Sequence, residues 1–145
     1  MCTFKMSVRM VLTSTDSSDY FDNKPNSFRV QLNKQIQFDG YWTVALTEFS
    51  SESWSKSKYK SELFVCCDIC EETLIGGKET SLLRRICLGE KPGNITYALP
   101  YYIPVKIGQL QQIGIYITDR DGNLVSFLDG PVTVTLHFKK FPYVL

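Results

Sequence analysis

The chain reads as an all-β protein, an antiparallel two-sheet sandwich or small barrel of about eight or nine strands. Three observations predict this. Short runs rich in β-branched and aromatic residues alternate apolar and polar with a period of two. Turn signals built on Gly, Pro, Asn and Asp interrupt these runs roughly every ten residues. No segment carries a long helical period of 3.6 residues. The 145 residues amount to one domain, spanning 1–145, with no internal repeat and no low-complexity run.

The elements follow in order. Ser7 to Ser14 is a β-branched, apolar run, broken by Thr15-Asp16-Ser17-Ser18-Asp19. Asn23-Lys24-Pro25-Asn26 is a turn. Ser27 to Leu32 then alternates, with Phe28, Val30 and Leu32 on one face and Arg29 and Gln31 on the other. After the Asp39-Gly40 turn, Tyr41 to Phe49 forms a strand. Strict alternation puts Trp42, Val44, Leu46 and, as a marginal fourth, Glu48 on one face. Tyr41, Thr43, Ala45, Thr47 and Phe49 take the other.

Ser50 to Ser61 is polar and reads as an exposed connection. Leu63 to Ile69 is a more apolar strand, expected to be buried on both faces. Gly76-Gly77 ends the segment after it. Leu82 to Cys87 fits either a strand or a short helical stretch. Lys91-Pro92-Gly93-Asn94 is a turn. Tyr101 to Val105 has Pro100 before it and Pro104 within it, which confines it to a sheet edge or an irregular extended segment. Near the C-terminus, Ile113, Ile115 and Ile117 share a face. Asp119 to Asn123 is a hairpin connection, and Leu124 to Phe127 is the returning strand. Asp129-Gly130-Pro131 turns again, and Val132, Val134, Leu136 and Phe138 point inward from the closing strand.

Composition excludes several functions. Hydrophobic residues are 43% and charged residues 21%, ordinary for a globular protein. The net charge of +1 excludes a broad basic surface, so no nucleic-acid partner is expected. No run approaches the length of a membrane span. The N-terminus lacks the apolar stretch of a signal peptide, and Cys2 stands where myristoylation needs Gly, so the chain is expected to remain inside the cell rather than be secreted. Five cysteines are an odd number and read as reduced thiols in that setting. Without secretion, Asn94-Ile95-Thr96 is a chance match to a glycosylation acceptor.

No residue stands out as catalytic. His137 is the single histidine, on the polar face of the closing strand with no local carboxylate or nucleophile beside it. Cys66, Cys67 and Cys70 have no second ligand pair, since Cys87, Cys2 and His137 are singly spaced. Buried thiols are the simpler reading over a metal site. Asp119-Arg120-Asp121-Gly122-Asn123 reads as a turn, lacking the further oxygens of a calcium loop. Phosphate loops, nucleophile elbows and zinc-protease motifs are absent. Arg84-Arg85 with Lys78 reads as a solvated face. Aromatics in polar or proline-flanked stretches are better candidates, as anchors of an interface. These are Trp54 and Tyr59 in the serine-lysine connection, and Tyr101, Tyr102 and Ile103 beside the prolines.

Four stretches carry a resemblance: Ser27 to Leu32, Gly40 to Glu48, Phe64 to Ile69 running on to Leu82-Leu83-Arg84-Arg85, and the closing Ile113-to-Phe138 hairpins. In order and spacing the chain resembles, over most of its length, the minor capsid (penton-type) proteins of Polinton/Maverick elements and adintovirus-like viruses. The resemblance implies a single jelly-roll of about eight strands. It also implies a homo-oligomer, a pentamer, at the vertices of a capsid built from a separate major capsid protein. No catalytic, cofactor-binding or metal-binding residue is implied. The expected role is therefore a non-enzymatic virion component, made in the host cytoplasm or nucleus. The alternative is a jelly-roll binding module that recognises a receptor, a glycan or a host protein.

Overall fold

Alternation along the chain becomes two facing sheets in the structure, a computed structural model that describes residues 6–140. The expected segment before Met6, with Cys2, lies outside the described residues. Among the described residues eleven strands form: β1 (Ser7–Thr13), β2 (Ser27–Gln37), β3 (Trp42–Ser51), β4 (Glu62–Cys67), β5 (Thr73–Ile75), β6 (Lys78–Thr80), β7 (Leu82–Cys87), β8 (Asn94–Thr96), β9 (Ile103–Pro104), β10 (Gln109–Thr118) and β11 (Val132–Lys140). There is no helix among the described residues.

One sheet has the order β1-β11-β3-β8, with β9 also pairing along β3, and the other has the order β2-β10-β4-β7. Every pairing is antiparallel. The first four strands alternate between the sheets. The last two long strands then insert, β10 between β2 and β4, and β11 between β1 and β3. This interleaving is the jelly-roll arrangement. The strand count exceeds the expected eight because β9 and the separate β5–β6 hairpin are added to the frame. Gly76 and Gly77 are the two turn residues of that hairpin, between Ile75 and Lys78. Both have positive φ, +55° and +82°, as a type I′ turn requires.

The core lies between the sheets. Val132, Val134, Leu136 and Phe138 from β11 and Ile113, Ile115 and Ile117 from β10 are fully buried there, as alternation predicts. Leu63 to Cys67 of β4 is buried on both faces. Stacked aromatics close the two ends. Phe38 packs on Phe138 and Trp42, each at 5.1 Å between ring centroids, at one end. Trp54, Tyr59 and Phe127 cluster at the other, with Trp54 and Tyr59 stacked at 4.8 Å.

Two sequence expectations are corrected, and one left open is decided as a strand. In β3, Phe49 rather than Glu48 joins Trp42, Val44 and Leu46 in the core. The pairing with β11 shifts between Thr135 and Leu136, so that Thr47 is an extra residue. Such a bulge turns every later side chain to the opposite face. In β7, the pairing with β4 shifts between Val65 and Cys66, leaving Leu83 extra. Leu83 and Ile86 are therefore both buried at a spacing of three, which is why the strand looks half helical in sequence. Finally, Leu124 to Phe127 is not a regular strand. Asp119 N–H donates to the Asn123 carbonyl and Val125 N–H to the Ile117 carbonyl, after which the chain leaves the sheet. The turn is present, but the return makes only an isolated bridge at Leu124.

Candidate functional site

The sheet edges decide which side chains are available to a partner. β1 and β2 lie at one side of the sandwich; β7 and the broken β8–β9 edge lie at the other. At the second side, Tyr101 (71% exposed), Leu99 (85%) and Leu74 (67%) are the most exposed large apolar residues of that edge. Tyr101 and Ile103 line a largely apolar cleft of about 310 Å³ together with Leu82, Leu83 and Thr73. At the first side, Val11 of β1 is 58% exposed. Peptide groups alternate in direction along a strand. Lys140 N–H bonds the Met6 carbonyl and Ser14 N–H bonds the Val132 carbonyl, so the even-numbered residues face β11. Arg9 and Val11 therefore present their backbone groups to the open edge.

The five interface candidates separate. Trp54 and Tyr59 turn inward and pack on Phe127, and the Tyr59 hydroxyl donates to the Leu88 and Gly89 carbonyls. Among the described residues the buried Trp54 indole N–H has no hydrogen-bond partner. Ile103, in β9, is half-buried against the core. Tyr102 is half-buried on the outer face of the first sheet. Tyr101 alone of the five is broadly exposed. Sequence reasoning missed Leu74 and Leu99. A lone apolar residue in a polar hairpin and another just before Pro100 were the available signals.

Tyr102 reaches His137. Its hydroxyl and His137 Nδ1 lie 2.7 Å apart, with the rings edge to face at 5.8 Å. Burial, then the cationic Arg9 and Lys139, hold the His137 imidazole below its ordinary value. The ring is thus favoured neutral, and in its Nε2–H tautomer Nδ1 accepts a hydrogen bond from the Tyr102 hydroxyl. His137 faces away from the core, as alternation predicts, but it is half-buried rather than open to solvent.

The remaining candidates resolve into structure. Cys66, Cys67 and Cys70 are buried thiols, and Cys87 is exposed. Burial pushes the Cys66 thiol up to about 11 and the Cys67 thiol well above its usual value, so neither supplies a thiolate near neutral pH. Among the described residues no three His, Cys, Asp or Glu side chains converge as a metal cluster would. The Asp119 carboxylate accepts the backbone N–H groups of Asp121 and Asn123, which fixes the turn. Arg85 pairs with Glu62, Nε to Oε2 at 2.8 Å, and Arg84 lies over the Tyr97 ring at 3.5 Å. They are thereby separated into two different contacts. No described helix is long and apolar enough to cross a membrane. The chain matches no protein-family model, and no curated protein matches it.

Proposed function

We propose that the chain is a structural, non-catalytic capsid component: a penton-type single jelly-roll that closes into a ring, a pentamer, through apolar edges. In this reading it resides in the virion after synthesis in the host cytoplasm or nucleus, and its second partner is a major capsid protein. The resemblance to Polinton/Maverick and adintovirus-like minor capsid proteins names that lineage. The observation that carries the reading is the placement of exposed apolar groups at opposite edges of the sandwich. Leu74, Leu99 and Tyr101 lie at one edge, and Val11 lies at the other, on β1, which among the described residues has no strand on its outer side. A ring needs two different, complementary patches on each subunit, because each copy uses one to grip the next. Exposed apolar clusters with polar surroundings mark such contacts. The net charge of +1 imposes little repulsion between copies.

Sedimentation velocity of the purified chain tests this. The wild type is expected to sediment as a closed oligomer at micromolar concentration. Tyr101→Asp combined with Leu74→Asp is expected to sediment as a monomer with unchanged circular dichroism, since both side chains lie outside the core. A wild type that stays monomeric alone and with its major capsid protein overturns the assignment.

A further inference from the structure

The chain between β8 and β9 arches across the outer face of the first sheet, and a polar cleft of about 280 Å³ opens between the arch and the sheet. We propose that this cleft binds a saccharide, with preference for sugars that carry a carboxylate, such as sialic or uronic acids.

The floor is set by strand register. Arg9 stands opposite His137 on the neighbouring strand, and Thr135 stands opposite Glu48, which in turn stands opposite Thr96. The Thr47 bulge turns Glu48 out to this face instead of into the core. Arg9, Glu48, Thr96, Thr135 and His137 all line the cleft. Among the described residues, Arg9 has no ion pair, and the side chains of Glu48, Thr96 and Thr135 take part in no hydrogen bond. The floor therefore offers a forked donor, a carboxylate acceptor and two hydroxyls that the fold leaves unused. Such a set matches the mixed donor and acceptor character of sugar hydroxyls.

The walls carry two aromatic rings and a proline. Tyr97, Pro100 and Tyr102 line the arch side. Rings of this kind present a flat apolar face against which the C–H face of a pyranose can pack, while the polar groups fix its orientation. The walls are braced before any ligand arrives. Tyr97 N–H bonds the Thr47 carbonyl at 2.9 Å, Arg84 sits over the Tyr97 ring, and Tyr102 is held by His137. A preformed site spends less of its binding energy on ordering.

Charge narrows the ligand class. The Arg9 fork suits a planar carboxylate. Lys139, whose ammonium lies 5.7 Å from the Tyr102 ring, adds a second cation nearby. Glu48 on the same floor disfavours a phosphate, which carries more negative charge than a carboxylate, and so argues against a nucleotide.

Saturation-transfer NMR with three methyl glycosides tests the site: N-acetylneuraminic acid, glucuronic acid and galactose. Wild type is expected to transfer saturation to the acidic sugars, with Kd of about 1 mM, and less to galactose. Arg9→Gln is expected to remove the preference for the acidic sugars, and the isosteric Glu48→Gln to weaken galactose more than the acidic sugars, because it removes a strong hydroxyl acceptor together with the charge that repels a carboxylate. No transfer to any of the three sugars, a preference for galactose, or binding that survives both substitutions unchanged overturns the proposal. Glu48→Gln lies away from both proposed ring edges, whereas Arg9 is on the β1 edge, so sedimentation of both variants separates a loss of sugar binding from a loss of ring assembly.

Discussion

Gly114 illustrates how a single position can be fixed by space rather than by backbone conformation. It lies in the middle of β10, on the outer face of the second sheet, beside an ion pair between Arg29 and Asp68 of 2.9 Å. Asp68 Oδ1 also accepts the Gly114 N–H, and Arg29 Nη2 donates to the Tyr116 hydroxyl at 2.9 Å. A β-carbon at Gly114 would fall 2.6 Å from Arg29 Nη2 and 3.0 Å from Asp68 Oδ2. The pair would have to move off the strand. Gly114→Ala is therefore expected to cost about 1–3 kcal/mol, even though Ala ordinarily suits a strand interior better than Gly. Urea denaturation followed by fluorescence measures it. An unchanged midpoint would mean that Arg29 swings clear without loss. In the sequence Gly114 looks like a weak point within an isoleucine run, and nothing there announces the pair it accommodates.

At the scale of the strand, the irregularities carry the information that alternation lacks. β11 and the second half of β10 follow a strict period of two, and their inward faces were readable at once. β3 and β7 each carry one extra residue, and there the period fails. A pattern of two cannot register a bulge, because the signal for it is a pairing partner elsewhere in the chain. The same holds for β2, whose pairing with β10 is irregular between Leu110 and Gln112. The polar run Asn33-Lys34-Gln35 lies within that irregular stretch, and so the strand outlasts the Leu32 end that alternation suggested. The β3 bulge makes a direct prediction. Phe49→Ala is expected to destabilise by about 3–5 kcal/mol, as for a large aromatic lost from a packed core. Glu48→Ala is expected to stay within about 0.5 kcal/mol, as for an outward-facing residue. Parallel guanidinium titrations of the two variants compare them. The reverse order would place the strand in strict alternation and remove the bulge.

At the scale of the molecule, the sandwich and its antiparallel character were legible from the spacing of strands and turns. The candidate site was less so. Trp54 and Tyr59 look exposed because their neighbours are serine and lysine. They are drawn in because the end of the sandwich near Phe127 would otherwise lie open, a demand set by strands far away in sequence. The edges show the same dependence, since only the pairing order tells which strands lack a neighbour. That order also gives the ring reading a sharper test than oligomer size. If the contact is head to tail, the patch around Tyr101 meets the β1 edge around Val11, never itself. Val11→Lys would put a charge on the edge strand and block one side of every contact. Tyr101→Asp would block the other. Each variant alone is expected to be monomeric. Mixed in equal amounts, they should form a dimer and nothing larger, because each still has the one intact patch that its partner lacks. Sedimentation of the two variants apart and together reads this out. If either variant dimerises alone, the same patch is meeting its own copy, the contact is isologous, and a closed five-fold ring cannot be built from it.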